Sequence, residues 1–415
     1  MTSSSLKSIF SSAVIVLIAL VSRAAFAADP IRFALIEPLS GPFANIGNLA
    51  LHALQADFDR INAQGGVLGR PLQLVPFDNK SSPQDSTLQV QAAIDRGIRY
   101  IIQGAGSNNG HAVNEAIAKH NARNPEQVAL YLNHGALDPA LTDAKCHYWH
   151  FRFTPHIHMI MTALTDVIAR DTKIKRVYLI HQDYVAGHSF AKDAKEMLAA
   201  KRPDIQIVGD DLHPLGKVKD FAPYITKVTA AKADAIVTGN WGIDFALLVK
   251  AANSVQLTTQ IYAPLAALQG APAMIGDAGA DRVHAVAFWH PNLDNTPFLP
   301  FALAFKAKYK EDFTWLPTHL LPEMVAIAMR KAGTDDPRKV AATLEGMRHN
   351  GPTGEVWMRA EDHQLMTPIY ATVFTRVGQP GVKYDAESTG LGWKTEGIFD
   401  ATKNPPPLIC RIQRP

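Results

Sequence analysis

"IRFALIEPLSGPFANIGNLALHALQADFDRINAQ", residues 31–64, sets a short β-rich apolar run directly before a helix-length stretch. Residues 31–36 read as a strand, and within 48–64 Leu49, Leu51, Leu54, Phe58 and Ile61 share one face of a helix. "GGVLGRP" then stops the helix with glycines and a proline. Outward from there the alternation continues, with strands expected at 72–79, 99–105 and 128–133 and a helix at 86–97. After residue 155 it restarts. Helices are expected at 156–170, 187–200, 220–231 and 243–254, and strands at 176–183, 205–211, 235–240 and 260–264. This pattern predicts an α/β fold of largely parallel strands in two comparable tandem units, without a sequence repeat. The tail breaks the rhythm with a strand at "HAVAFWH", helices through "FLPFALAFKAKYKED" and "LPEMVAIAMRKAG", and a late strand at 368–377. Such leftovers suit a chain that crosses back between two lobes.

The 415 residues, 47% hydrophobic and 19% charged, have globular composition and enough length for two domains. A formal charge of +3 is too small to argue for nucleic-acid binding, and no polybasic run offers a membrane patch. Lys7 precedes the apolar stretch "AVIVLIALV", and Ala25 and Ala27 occupy the A-x-A positions of a cleavage site. Residues 1–27 are therefore expected to be a secretory signal, too short in its apolar core to span a bilayer, and the mature chain a soluble periplasmic protein. In that compartment Cys146 and Cys410 are either one disulfide closing a very long loop or two buried thiols.

In "IIQGAGSNNGHAVNEAI", residues 101–117, Gly104, Gly106 and Gly110 miss the dinucleotide fingerprint by one position, and no P-loop lysine follows. What remains is a strand delivering the Ser107 hydroxyl and bare backbone N–H groups to a helix start, an arrangement that favours an anion. G-x-S-x-G, H-E-x-x-H and C-x-x-C are absent, so neither an enzyme nor a cofactor is indicated. Cys146, His147, His150, His156 and His158 are spaced too loosely for a zinc site. The loops after the strands, among them "PLSGPFANIG", "GAGSNNG", "NHGALDP", "HQDYVAG", "TGNWG" and "APLAAL", would gather at the carboxyl edges of the sheets and face one cleft.

Residues 38–83, "PLSGPFANIGNLALHALQADFDRINAQGGVLGRPLQLVPFDNKSSP", resemble the start of the leucine/isoleucine/valine-type periplasmic binding proteins, and "FRFTP", "DYVAGHSFA" and "GPTGEVWMRAEDHQ" continue the likeness. The resemblance implies a type I solute-binding fold: two α/β lobes joined by three crossovers, lobe one 29–153 plus 287–367, lobe two 154–286 plus 368–415. It implies a monomer that hands a small molecule to an ABC permease and its ATPase. It implies a carboxylate clamp of Ser107 with backbone groups of Gly135, Ala136 and Leu137. Asn108 and Ala186 complete the candidate site from their loops.

The departures point to the ligand. Family members that bind amino acids carry a threonine at the place of Leu137, often a tyrosine at the place of Ile46, and a glutamate for the ligand's ammonium in the loop that here reads "APLAAL". No acid lies between Tyr262 and Gly270, and Asp244 substitutes only if the register is off by a turn. An ammonium buried without a counter-charge costs several kcal/mol. Ile46, Leu137, Tyr184, Trp241 and Leu265 would instead line an apolar, partly aromatic pocket, which favours an aromatic acid of the benzoate or hydroxycinnamate kind. A branched-chain or other aliphatic amino acid is the alternative, and a ligand-sensing partner of a membrane receptor is the alternative of another class.

Overall fold

The computed structural model describes residues 29–294 and 296–415; the expected signal segment lies outside the described residues. β1 (Ile31–Glu37), β2 (Leu72–Asp78), β3 (Tyr100–Gln103), β4 (Leu130–Asn133) and β5 (His150–Arg152) form a sheet in the order β2-β1-β3-β4-β5 with every neighbour parallel. α1 (Ala44–Ala63) begins four residues before the anticipated start and buries Leu49, Leu54, Phe58 and Ile61 against it. α2 (Pro83–Asp95) has Pro83 in its first turn and Ser82 as its cap, accepting from the Asp85 N–H at 3.1 Å. α3 (Ser107–Arg123) follows β3.

α4 (Ile157–Arg170) carries the chain into the second unit and buries Met159, Ile160, Ala163, Leu164 and Ile168. There β6 (Arg176–Gln182), β7 (Gln206–His213), β8 (Ala235–Val237), β9 (Gln260–Tyr262) and β10 (Val283–Ala287) alternate with α5 (Val185–Lys201), α6 (Ala222–Ala230), α7 (Gly242–Ser254) and the short α8 (Ala271–Ile275). The chain then returns to the first unit through α9 (Leu299–Tyr309), α10 (Pro317–Ala332) and α11 (Pro337–Leu344). His319 on α10 meets Asp57 on α1 at 2.8 Å, Arg330 donates to the Gly66 carbonyl at 2.8 Å, and Tyr100 donates to the Asp335 carbonyl at 2.8 Å.

A small antiparallel sheet of β11 (Arg348–Gly351), β12 (Gly354–Met358) and β13 (Leu365–Met366) follows, and the Arg152 N–H donates to the His363 carbonyl at 2.9 Å beside it. Finally β14 (Pro368–Arg376) and β15 (Leu391–Asp400) join the second sheet antiparallel, giving the order β15-β14-β10-β9-β8-β6-β7.

Sequence patterning did not reveal β5, the β11–β13 sheet, β15 or α11. β5 is only three residues long, and β15, "LGWKTEGIFD", mixes glycine and charge and owes its extended form to its ladder with β14. Ala287, assigned from sequence to the first lobe, is the last residue of β10 in the second sheet. The tail also differs from the reading that put all of 368–415 with the second lobe. Beyond Asp400 the chain runs back to first-unit residues, where Pro406 accepts from Arg359 at 2.7 Å and Arg414 reaches Glu345 at 2.9 Å. Cys410 is joined to Cys146 in the β4–β5 connection across a sequence separation of 264.

That link constrains the unfolded chain strongly, because its loop is very long. Reduction, or Cys410→Ser, is expected to remove about 2–4 kcal/mol and lower the thermal midpoint by a few degrees; an unchanged midpoint would show that the tail contributes nothing to stability. A second expectation concerns His319. Burial alone depresses its pKa, but the Asp57 carboxylate, with Glu323, carries it above 6.5. Stability from a raised histidine pKa is fully present below the unfolded value of 6.5 and is lost as pH rises through the folded value. Thermal midpoints should therefore decline with pH above 6.5, and Asp57→Asn should flatten that decline.

Candidate functional site

Both sheets share one topological feature. In the first, β1 lies between β2 and β3; in the second, β6 lies between β7 and β8. The strand order reverses at each of these points, so the loops leaving the two central strands part and open a crevice at the carboxyl edge. The two crevices face each other around a cavity with about 680 Å³ of empty space, part of it open to solvent. Its walls include Ile46, Gly104–Ser107, His134, Gly135 and Leu137 on one side and Tyr184, Trp241, Leu265 and Leu268 on the other.

The first wall is built on a buried acid. Glu37, at the end of β1 and fully buried, accepts from the N–H groups of Gly104 at 2.6 Å and Ala105 at 3.1 Å, and from His134 Nε2 at 2.8 Å. A carboxylate only accepts, so His134 carries its proton on Nε2 in this pair, and Nδ1 has no partner. The imidazole lies so close over Gly104 that a Cβ there would come within 2.4 Å of it. Gly106 takes a φ of 85° to turn the chain into α3. Gly104 and Gly106 thus serve packing and turning. No side chain caps α3, so the N–H groups of Ser107, Asn108 and Asn109 are left for a ligand.

The expected clamp is corrected in one respect. The N–H groups of Gly135 and Ala136 donate to Asn133 Oδ1 at 3.0 and 2.8 Å, and those of Leu137 and Asp138 donate to Ser107 Oγ, each at 3.2 Å. The 135–137 backbone is therefore engaged inside the protein. What can meet an anion is the Ser107 O–H, whose oxygen is fixed by those two bonds, together with the α3 N-terminus.

On the second wall, Trp241 Nε1 donates to the Tyr184 hydroxyl at 2.9 Å, leaving the tyrosine proton available. Burial holds the Tyr184 pKa well above its ordinary value, so it remains a neutral donor. Phe43 from the β1–α1 loop reaches across to Trp241, ring centroids 4.4 Å apart. A polar contact also spans the cleft: Ser189 on α5 donates to Asp138 Oδ1 at 2.9 Å, while His111 holds Asp138 Oδ2 at 2.5 Å. Burial raises the Asp138 pKa, but the hydrogen bond and charge of His111, with Ser189 and Arg152, bring it below the ordinary value.

Of the residues singled out from sequence, Ile46, Ser107, Gly135, Leu137, Tyr184, Trp241 and Leu265 line the cavity. Three do not. Asn108 is exposed and outside the lining, and Ala136 and Ala186 are packed beneath the surface, 0% and 1% exposed. Asp244, the reserve partner for an ammonium, does not line the cavity either; it accepts from Gln182 at 2.8 Å and from the Gly216 N–H at 2.7 Å. Sequence reasoning missed His134 and the wall of Phe313, Thr314 and Trp315 between α9 and α10, with Thr318 in the first turn of α10. An aromatic, non-helical "DFTWLPT" between two helices was the available signal.

The histidine-rich segment divides among structural tasks. Cys146 is in the disulfide, His147 contacts the Asn114 carbonyl at 3.1 Å, and His150 sits between Asn133 and Leu141. Burial pulls His147 down to about 4 and His150 and His156 well below the ordinary value. Among the described residues no group of three His, Cys, Asp or Glu is arranged to hold a metal ion.

A family model described as periplasmic binding protein matches residues 30–379. Leu/Ile/Val-binding protein homolog 4 of Brucella abortus (strain 2308) is 32% identical over 418 aligned residues, 96% of each chain. The solved leucine-, isoleucine-, valine-, threonine- and alanine-binding protein of Brucella ovis, in its closed conformation, superposes with a TM-score of 0.82 at 28% identity, over 94% of this chain and 100% of that one. A solute-binding protein of an ABC transporter from Rhodopseudomonas palustris BisB5, solved with 3,4-dihydroxybenzoic acid, gives 0.79 at 19% identity over 91% and 99% of the two chains. The chain belongs to the periplasmic binding protein family and has its type I fold. The family comprises solute-binding proteins of ABC transporters, and membership implies a periplasmic location. No helix among the described residues is long and apolar enough to cross a membrane.

The Ser189–Asp138 contact generates a test of closure independent of any ligand. Ser189→Ala removes a charge-assisted hydrogen bond of about 1.5–3 kcal/mol that joins the two sides of the cleft. The ligand-free variant should show a larger radius of gyration in solution scattering than the wild type. Identical scattering would remove this pair from the closing machinery.

Proposed function

We propose that the protein captures a small aromatic carboxylate, of the benzoate or hydroxycinnamate kind, and presents it to the permease of an ABC importer. In this reading residues 1–27 are the cleaved export signal, the mature protein works as a monomer, and 29–153 with 288–367 closes against 154–287 with the remaining second-lobe strands. The ligand's carboxylate meets the Ser107 hydroxyl and the start of α3, where partial positive charge and free donors stabilise an anion. Its ring packs among Trp241, Tyr184, Leu137 and Trp315, gaining burial and offset aromatic contact.

One observation carries this reading. Among the described residues no Asp or Glu side chain lines the cavity, and the polar side chains of its lining are hydroxyls, the Trp241 and Trp315 indoles and His134. A zwitterionic amino acid would leave its ammonium without a counter-charge in a largely apolar site. The R. palustris neighbours solved with 3,4-dihydroxybenzoic acid and with benzoate add that this fold accommodates such ligands. The second reading, a branched-chain amino acid, is favoured by the name of the Brucella relatives at 32% identity.

A thermal-shift panel on protein stripped of carried-over ligand by unfolding and refolding separates the two. Benzoate, 4-hydroxybenzoate and p-coumarate should each be compared with leucine, isoleucine and valine. At a hundred times Kd a ligand adds about 2.7 kcal/mol, enough to move the midpoint by a few degrees. The aromatic acids are expected to give that shift, and Ser107→Ala to weaken it by about tenfold in affinity. A shift from leucine alone would overturn the reading and require an acid to reach the cavity.

A further inference from the structure

The segment "PLSGPF" (38–43) joins β1 to α1 and is fixed at its base in the first unit. Asp78 accepts there from the Leu39 N–H at 2.9 Å and from the Ser40 hydroxyl at 2.5 Å. Gly47, in the first turn of α1, packs back on the segment so tightly that a Cβ would come within 2.2 Å of the Pro38 carbonyl oxygen. Phe43 stands at the N-cap of α1, where Ser, Thr, Asp or Asn is preferred for the hydrogen bond its side chain makes. No side chain caps this helix. The phenyl group at that position is used elsewhere, against the opposite unit.

Phe43 is 4% exposed, and its ring is held by residues from the loops after β7 and β8. Trp241 meets it with ring centroids 4.4 Å apart and planes inclined by 33°. Two glycines lie against its edges: a Cβ at Gly242 would stand 2.9 Å from Phe43 Cδ1, and one at Gly216 would stand 3.0 Å from Phe43 Cε2. Both hold a positive φ, 60° and 67°, so the notch is made where the backbone favours glycine. Beside it Asn45 Nδ2 donates to the Gln269 carbonyl at 3.5 Å, a further contact between the same segment and the second unit. Phe43 is absent from the lining of the inter-lobe cavity, whereas Trp241 is part of it. The ring thus touches a wall of the solute site without belonging to that wall.

We propose that Phe43 is a latch, a positioning residue that makes no contact with the solute but seats in the notch of Gly216, Trp241 and Gly242 and thereby sets how long a captured solute is retained. Ring and seat belong to different units, so parting of the two loop edges returns a phenyl group and an indole face to water, and that exposure opposes opening. The latch engages after the solute has entered. It therefore slows departure and leaves arrival unaffected. The inference rests on the inter-lobe cavity being the solute site, and not on which solute it takes.

Calorimetric and stopped-flow measurements of 4-hydroxybenzoate binding to the full mature chain test this. Phe43→Ala should weaken binding about tenfold, with the loss in a faster dissociation rate and the association rate as in wild type. Gly216→Ala, which lies outside the cavity lining, should weaken binding about threefold in the wild-type background and not at all in the Phe43→Ala background. Backbone strain from alanine at this φ is common to both backgrounds and cancels from the cycle. Phe43→Leu keeps apolar bulk and should recover part of the affinity; it replaces Phe43→Ala in the cycle if that variant does not fold. An unchanged dissociation rate in Phe43→Ala overturns the proposal, as does a Gly216→Ala effect of equal size in both backgrounds. If leucine rather than 4-hydroxybenzoate stabilises the wild type, the same measurements made with leucine decide on the latch, and the assignment of an aromatic acid alone falls.

Discussion

A single buried carboxylate organises the ligand-facing edge of the first sheet. Glu37 ends β1 with no solvent contact, and an unpaired charge there would cost several kcal/mol. It is compensated by the Gly104 and Ala105 N–H groups after β3 and by His134 after β4, so the loops of three adjacent strands are tied to one point. The start of α3 is fixed as a result, with Ser107 Oγ in turn holding the Leu137 and Asp138 N–H groups. Asp138 then reaches Ser189 across the cleft. A set of polar contacts runs from a buried acid, past the uncapped start of α3, to the opposite wall. Displacing any member moves the donors that a carboxylate would meet.

The second sheet answers with aromatic rather than polar groups. Because its strand order repeats that of the first, its own reversal point presents Tyr184 and Trp241 to the same cavity. Their mutual hydrogen bond sets the indole plane, and Phe43 presses on it from the other side. The cavity therefore has a polar end and an apolar, aromatic body, a division made by topology before any particular side chain is considered.

Connectivity adds a restraint that two-lobed architecture alone does not require. After three passages between the units the chain makes a further return beyond Asp400, held by Arg359, Glu345 and the Cys146–Cys410 bond. The second lobe's last strand is thereby tethered to the first unit. The same crossing region encloses a second cavity, lined by Trp289 and Trp393, next to the wall that bounds the ligand site.

Hydrophobic periodicity alone determined the parallel α/β character, the restart near residue 155 and the loops that gather at the strand ends, because amphipathic faces and short buried strands leave local traces. It also located the loops that carry Ser107, Tyr184, Trp241 and Leu265, since each follows a strand, while the resemblance singled out the residues themselves. Elements without a clear alternation left little trace: β5 is three residues long, β11–β13 are hairpin strands of two to five residues, and β15 takes its form from its ladder with β14. Which donors remain free was likewise a matter for the tertiary structure. The Gly135 and Ala136 N–H groups look available in sequence and are taken by Asn133, while Asp244 looks like a reserve counter-charge and is held by Gln182 and Gly216. Sequence fixes which groups exist and roughly where they emerge; only three-dimensional packing decides which of their hydrogen bonds are satisfied from within.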